Sequence, residues 1–148
     1  MISQLPQHIA AREHAVLKEK LSWPDEAFNI EEHTDTRGPG NILMAFIGSE
    51  HITEVFTGFG EMGISSEQVA AAVVKQVREY LGSGVPVGRH LADQLMIPMA
   101  VAGGGEFLTL TLSRHATTNI EIIRKFLDIE ISASKIDRPK WHVKIGDF

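Results

Sequence analysis

One long amphipathic helix in the middle of the chain, over residues 65–81, restricts the possible folds more than any other feature. Ser65 and Gln68 have the spacing of a capping box, in which a Ser side chain caps the helix and the residue three positions later reaches back. Apolar side chains then recur every four residues, at Val69, Val73, Val77 and Leu81, and Gly82 supplies a stop signal. Strands are predicted on both sides of this helix, so the chain mixes the two kinds of element.

The other predicted elements do not follow the regular alternation that a doubly wound parallel sheet requires. Apolar periodicity predicts, in chain order, a helix over residues 7–21, strands over 27–33, 42–47 and 51–57, a helix with Leu91, Leu95 and Met99 on one face, and strands over 108–112, 129–133 and 141–145. The segment 42–47 is apolar on both faces, which predicts a buried strand. Pro98 is expected to kink or end its helix, because proline has no backbone N–H. The mixture favours an α+β fold.

A second capping box, formed by Thr118 and Glu121, predicts the start of a helix that runs through Leu127. Its apolar positions are expected to face the core, and they are Ile120, Ile123, Phe126 and Leu127. Upstream, Gly103-Gly104-Gly105 is expected to stop one helix and to form the turn into the next strand.

Composition limits the function classes that this chain can have. With 148 residues, 43% hydrophobic and 22% charged, the chain suits one ordinary domain or two small ones, and no apolar run reaches the roughly 18 residues of a membrane helix. The absence of cysteine excludes disulfides, thiolate nucleophiles, zinc ribbons and iron–sulfur clusters. The first residues lack the charged and apolar regions of a secretory signal, so we expect a cytoplasmic protein. The net charge of −5 argues against tight, sequence-blind binding of nucleic acid, although residues 113–148 hold 7 basic and 5 acidic side chains.

The segment Gly58-Phe59-Gly60-Glu61-Met62-Gly63 matches the G-x-G-x-x-G pattern of dinucleotide-binding loops. It follows a predicted strand and precedes a helix, as that pattern requires. However, Glu61 would place a carboxylate where the pyrophosphate binds, and no second parallel strand is predicted after the helix. We therefore favour a plain turn over a dinucleotide site.

Three polar residues, His90, Asp93 and Gln94, share one face of a predicted helix, because side chains three and four residues apart are neighbours. Such a group on an otherwise apolar helix is typical of a ligand site, and equally of a solvated face. A metal site would need a third strong ligand, and none lies nearby in the sequence. No metal site is predicted here.

His115 lies on the turn into the second predicted helix, where free amide groups and the helix dipole favour an anion. Neutral imidazole is available near neutral pH, since the ordinary pKa of histidine is about 6.5. The neighbouring Arg114 can neutralise a phosphate. A histidine nucleophile or acid–base group at an anion site is the functional interpretation, and a structural loop histidine is the alternative.

Three segments of the chain resemble the RNA 3'-terminal phosphate cyclase family in order and spacing. They are Val87-Gly88-Arg89-His90-Leu91-Ala92-Asp93-Gln94-Leu95, Ala102-Gly103-Gly104-Gly105-Glu106-Phe107 and Ser113-Arg114-His115-Ala116-Thr117-Thr118-Asn119-Ile120. The upstream Gly38-Pro39-Gly40-Asn41 and the helix over residues 65–81 are also similar to that family. The resemblance extends from about Gln7 to about Ile145.

The resemblance implies a ligase that uses ATP to cyclise RNA 3'-phosphate ends. In that family a histidine attacks the α-phosphate of ATP, the AMP passes to the RNA 3'-phosphate, and the vicinal 2'-hydroxyl displaces AMP to give a 2',3'-cyclic phosphate. Position in the motif assigns the nucleophile to His115. It assigns nucleotide binding to His90, Leu91, Ala92, Asp93 and Gln94. A divalent metal, Mg or Mn, is expected to accompany the ATP phosphates.

The resemblance also implies an architecture and partners. The expected α+β fold combines the latter part of an inserted α/β subdomain, over residues 1–60, with a C-terminal βα repeat over residues 61–148. Complete family members are longer, and their amino-terminal half supplies further residues that contact ATP and RNA. We therefore expect either that another chain supplies this half or that the chain self-associates through exposed apolar faces.

Two alternatives stay open besides the enzyme. One is a non-catalytic relative that binds RNA or ribosome-assembly partners, and relatives of that kind lack the nucleophilic histidine. The other is a dinucleotide-binding module at Gly58–Gly63. The presence of His115 favours the enzyme over the non-catalytic relative.

Overall fold

The computed structural model describes residues 1–146 of the chain and divides it into two compact units. The first unit combines Met1–Gly48 with Val55–Glu79, and the second combines Ser49–Glu54 with the described chain from Tyr80 onward. Neither unit is one continuous stretch of sequence. The predicted division into residues 1–60 and 61–148 refers to family architecture and stays a prediction.

The first unit contains a sheet with the strand order β2-β1-β3-β4 and two long helices. Its elements are β1 (Ile2–Ser3), α1 (His8–Leu21), a one-turn 3-10 helix (Asp25–Ala27), β2 (Glu32–His33), β3 (Gly40–Gly48), β4 (Thr53–Phe59) and α2 (Ser66–Ser83). β1 pairs with β2 in parallel and with β3 antiparallel. Two elements are shared between the units: the first two residues of β4 and the last four residues of α2 belong to the second unit. Helices and mixed sheets together confirm the α+β class.

The second unit contains an antiparallel sheet, in the strand order β5-β7-β6, and two helices packed on it and on each other. Its elements are α3 (Arg89–Val101), β5 (Gly105–Thr109), α4 (Arg114–Phe126), β6 (Ile131–Lys135) and β7 (Trp141–Ile145). The helices contribute Ala92, Met96, Ala116 and Ile120 to one apolar core. The strands contribute Phe107, Ile131, Val143 and Ile145 to the same core. This core fixes the faces of α3 and α4 that remain outside it.

The predicted capping box of α2 is confirmed. The Ser65 N–H donates to Gln68 Oε1 at 2.9 Å, and the Gln68 N–H donates to Ser65 Oγ at 3.2 Å. Val73 and Val77 are fully buried, as the four-residue spacing predicts, but Leu81 is exposed. Successive residues of an α-helix are about 100° apart around its axis. A residue four positions later is therefore offset by about 40°, and after three such repeats the side chain no longer faces the core.

The predicted strand over residues 27–33 is wrong for most of its length, and the predicted burial of both faces of 42–47 is also wrong. Residues 25–27 form the 3-10 helix, and only Glu32 and His33 pair as a strand. In β3, burial alternates, because one face lies against α1 while Phe46 on the other face is 59% exposed. An apolar sequence therefore does not by itself mean burial on both faces.

Helix α3 does not end at Pro98 but continues to Val101. Proline removes the hydrogen bond to the Gln94 carbonyl, and both residues lie on the exposed side of the helix, where water can replace that bond. The helix stops before Gly103-Gly104-Gly105, as predicted. All three glycines have positive φ angles, which residues with a Cβ rarely adopt, and they form the turn into β5.

A buried polar pair lies within the first unit. Glu13 of α1 is 1% exposed, and Asn41 of β3 is 5% exposed. The Asn41 Nδ2 donates to Glu13 Oε1 at 2.5 Å. This hydrogen bond satisfies part of a carboxylate that would otherwise be costly to bury.

Glu13 makes the stability of the protein depend on pH. Burial raises the pKa of the Glu13 carboxyl above its usual 4.5, and the hydrogen bond from Asn41 offsets only part of that effect. The folded protein thus holds this proton more tightly than the unfolded chain does. The stability that results is fully present below pH 4.5 and is lost as the pH rises through the raised pKa.

We therefore expect Glu13→Gln to gain stability relative to the wild type as the pH rises above 4.5. The gain amounts to about 1.4 kcal/mol for each unit by which the pKa is raised. Urea unfolding of both proteins at acidic and neutral pH measures it, and the other titrating groups cancel in the difference. A stability difference that is the same at both pH values would contradict the prediction.

Within residues 1–146, none of the helices combines the length and the hydropathy needed to span a bilayer.

Candidate functional site

His115 lies in the first turn of α4. Ser113 caps this helix, because its Oγ accepts the N–H of Ala116 at 3.0 Å, and the Thr117 N–H makes the first helical bond, to the Ser113 carbonyl, at 3.1 Å. His115 is therefore the second residue of the helix, after Arg114, and its side chain is exposed. No hydrogen bond or ion pair within residues 1–146 holds the imidazole.

The predicted start of this helix at the Thr118 capping box is wrong. Ser113 provides a cap five residues earlier, and Thr118 is an exposed residue inside the helix. His115 consequently lies inside the first turn and not on the preceding loop. Of the four positions predicted to face the core, Ile120 and Ile123 are buried, whereas Phe126 is 80% exposed and Leu127 is 36% exposed.

The start of α4 keeps the properties of an anion site. The N–H groups of a first helical turn have no carbonyl partner within the helix, and the helix dipole places partial positive charge there. Ser113 satisfies one of these groups, that of Ala116. Arg114 is exposed beside His115, so a guanidinium and amide donors lie at the same helix end as a free imidazole.

The five residues assigned to nucleotide binding divide between the surface and the core of α3. His90 and Gln94 are exposed, and Asp93 is half-buried. Leu91 packs against the core of the second unit, and Ala92, 1% exposed, belongs to that core. Only the three polar residues thus present side chains that can reach a ligand.

Asp93 joins this polar face to α4. The Asn119 Nδ2 donates to the Asp93 carboxylate and also to the Asp93 carbonyl at 3.3 Å. His115 lies four residues before Asn119, so it is one helical turn away on the same side of α4. His115 is thus one helical turn from Asn119, the residue that contacts Asp93. Sequence analysis missed Asn119, although its spacing of four from His115 was a usable signal.

A buried carboxylate lies at the start of α3, and sequence analysis missed it as well. Glu54 is 3% exposed, and it accepts the N–H of Gly88, the residue that precedes the helix. Burial raises the pKa of Glu54, while the Gly88 N–H and the charge of His90 oppose that shift. Burial, together with Glu54, raises the pKa of Tyr80 too. No local pattern links residue 54 to residue 88, because 34 residues separate them.

The described residues do not form a side-chain metal site. Within residues 1–146, no group of three or more His, Asp and Glu side chains is placed to hold a metal ion.

Gly58 and Phe59 are the last two residues of β4, and residues 60–65 form the turn that connects β4 to α2. A Cβ at Gly58 would lie 2.8 Å from Val73 and 2.9 Å from Val69, so close packing explains this glycine. Helix α3 follows α2 without an intervening strand, and the βαβ unit of a dinucleotide-binding fold is not formed. The preference for a plain turn agrees with this connectivity.

Comparisons with known proteins identify what the chain is similar to. A family model described as RNA 3'-terminal phosphate cyclase matches residues 16–133. A protein named RNA 3'-terminal phosphate cyclase from Ectopseudomonas mendocina is 42% identical over 131 residues, covering 88% of this chain and 38% of the relative. Proteins of the same name from Pseudomonas aeruginosa strain LESB58 and Koribacter versatilis are 39% and 42% identical, covering 93% and 91% of this chain and 40% and 38% of those relatives. The chain thus spans about two fifths of the length of these curated relatives.

Proposed function

Because the chain belongs to the RNA 3'-terminal phosphate cyclase family, we propose that it carries the histidine that accepts AMP from ATP during cyclisation of an RNA 3'-phosphate. The observation that carries the proposal is the exposed imidazole of His115 at the amino-terminal end of α4, beside Arg114. This placement suits attack on a phosphate, because the helix end stabilises the negative charge of the group being attacked.

In the proposed first step, an imidazole nitrogen of His115 attacks the α-phosphorus of ATP. An N–P bond forms, the bond to the bridging oxygen breaks, and pyrophosphate leaves while the imidazole loses its proton to solvent. An oxygen of the RNA 3'-phosphate then attacks the phosphorus of the bound AMP, the N–P bond breaks, and the imidazole leaves after taking a proton back from solvent. Finally, the vicinal 2'-hydroxyl attacks the RNA phosphorus, loses its proton and releases AMP, which leaves a 2',3'-cyclic phosphate.

The polar face of α3 is the proposed nucleotide-binding surface. His90, Asp93 and Gln94 supply donors and acceptors for ATP, and Leu91 and Ala92 hold that face in place from the core. ATP is the proposed co-substrate, with Mg or Mn bound through its phosphates. Residues equivalent to the remaining three fifths of the relatives' length are proposed to complete the RNA site, supplied by another polypeptide or segment.

The direct test is transfer of label to this chain from ATP that is labelled at the α-phosphate, in the presence of Mg or Mn. An acid-labile, covalently bound label supports the proposal. A chain that instead binds RNA and takes up no label would support the alternative, a non-catalytic relative that binds RNA or ribosome-assembly partners.

A pair of variants separates a ligand role of Asp93 from a packing role. Asp93→Ala removes both the carboxylate and its contact with Asn119, whereas Asn119→Ala removes the contact and keeps the carboxylate. Each is expected to cost about 1 kcal/mol of unfolding free energy. Asp93→Ala is also expected to raise the ATP concentration for half-maximal labelling by about tenfold, since a hydrogen bond to a charged group is lost.

Asn119→Ala serves as the matched control for that measurement. It is expected to change the half-maximal ATP concentration by less than about threefold, because no ligand-facing group is removed. Equal weakening of ATP use in the two variants would show that Asp93 acts through the packing of α3 on α4.

A further inference from the structure

Glu54 is a buried carboxylate that no step of the proposed reaction uses. It is 3% exposed, and its carboxylate accepts the N–H of Gly88, which directly precedes α3. Both residues lie in the second unit, which also holds His90 and His115. A charged group buried to this extent is costly unless it has partners that compensate for the loss of water.

Only a glycine leaves room for this contact. A Cβ at position 88 would lie 2.7 Å from Glu54 Oε2, 2.9 Å from its Cδ and 3.0 Å from its Oε1. Any other residue would therefore push the carboxylate away from the end of the helix. The close approach of Glu54 depends on this one position in the sequence.

The backbone before α3 is fixed from several sides. Glu54 holds the N–H of Gly88, and the Thr109 hydroxyl donates to the Gly88 carbonyl at 3.4 Å. The Val87 N–H donates to the carbonyl of Leu108 at 3.2 Å, which ties the same segment to β5. These hydrogen bonds fix the backbone of residues 87–88, and His90, the second residue of α3, is positioned by that backbone.

Glu54 also occupies the place where the start of α3 would attract an anion. A helix terminus with free N–H groups binds phosphate or carboxylate, and here a side chain of the protein supplies the carboxylate. The start of α4 has no such internal anion among residues 1–146. The two helix ends of the second unit therefore differ: a protein carboxylate lies at the start of α3, and none is described at the start of α4.

We infer that Glu54 is a positioning residue for the nucleotide site: its carboxylate anchors the first turn of α3 and holds His90, Asp93 and Gln94 in register. This inference rests on the proposed function. Glu54 acts through Gly88 and contacts no reacting atom.

Two variants and one matched control test this role in the chain as it exists. Glu54→Ala removes the anchor, Glu54→Gln keeps an acceptor without the charge, and Glu13→Gln changes an equally buried carboxylate of the first unit. Amide hydrogen exchange of residues 89–92 measures the anchoring, with residues 114–117 at the start of α4 as the internal reference. Labelling from α-labelled ATP with Mg measures the effect on the nucleotide site.

We expect exchange at residues 89–92 to be about fivefold to tenfold faster in Glu54→Ala, as for loss of a helix cap, with a smaller increase in Glu54→Gln. The ATP concentration for half-maximal labelling is expected to rise about fivefold to tenfold in Glu54→Ala, while the labelling rate at saturating ATP changes less than about twofold. Glu13→Gln is expected to leave both quantities within about twofold of the wild type.

The inference is overturned if exchange at residues 89–92 is unchanged in both Glu54 variants. It is also overturned if exchange accelerates equally at the start of α4, since that result shows general destabilisation. If Glu54→Ala does not fold, Glu54→Gln decides by the same two readouts. A wild-type chain that takes up no label contradicts the proposed function, and the exchange pattern then decides separately whether Glu54 anchors α3.

Discussion

His115→Asn is expected to abolish transfer of AMP from ATP to the protein. An asparagine side chain keeps polarity and similar size but has no nitrogen with a free lone pair comparable to that of imidazole, so no N–P bond forms. His115 is exposed in the first turn of α4, and substitution there is expected to change the free energy of unfolding by no more than about 0.5 kcal/mol. The loss of label thus reports on chemistry and not on folding.

His51→Asn is the matched control, because His51 is another exposed histidine of the second unit. It is expected to retain the label of the wild type, and thermal unfolding is expected to be alike for all three proteins. Label that persists on His115→Asn would assign the nucleophile to a different residue. Label absent from every protein, the wild type included, would contradict the proposal that this chain takes up AMP from ATP.

Met96→Ala is expected to produce the largest loss of stability among simple truncations in α3. Met96 is 0% exposed and lies in the core of the second unit, where α3, α4 and the sheet meet. Truncation of a buried side chain of this size costs about 2–5 kcal/mol, because burial is lost and a cavity remains. That is a large part of the roughly 5–15 kcal/mol that stabilises a typical protein.

The two tryptophans allow this effect to be measured in the correct unit. Trp23 belongs to the first unit and Trp141, in β7, to the second, so fluorescence in a Trp23→Phe background reports unfolding around Trp141. Ile97→Ala in the same helix is the control, because Ile97 is 49% exposed and its truncation is expected to cost less than about 1 kcal/mol. Equal losses in the two variants would show that α3 does not pack through Met96.

The parts of the fold that were predictable from sequence are those that local chemistry determines. The capping box at Ser65 and the glycine turn after α3 depend on residues within a few positions of one another, and both were predicted. The prediction of a strand over 27–33 was wrong because a mixed apolar and polar sequence does not show whether another strand is available to pair with it. The capping box at Thr118 failed because Ser113 offered an earlier cap, and local rules do not rank two competing caps.

The same distinction applies to the candidate site. The exposure of His115 near a helix start was predictable, and the polar face formed by His90, Asp93 and Gln94 followed from helical spacing. The contact between Asp93 and Asn119 spans 26 residues, and that between Glu54 and Gly88 spans 34. Such contacts depend on how helices and strands pack, so sequence patterns alone do not contain them.

The interleaving of the two units limits how this protein can be shortened. A fragment that began after β4 would keep His115 and the polar face of α3 but would lack Ser49–Glu54, a part of the second unit. The amide of Gly88 would then lose its carboxylate partner, and the start of α3 would no longer be anchored by Glu54. Residues 49–54 lie far from His115 in the sequence, yet a fragment needs them to contain the whole second unit.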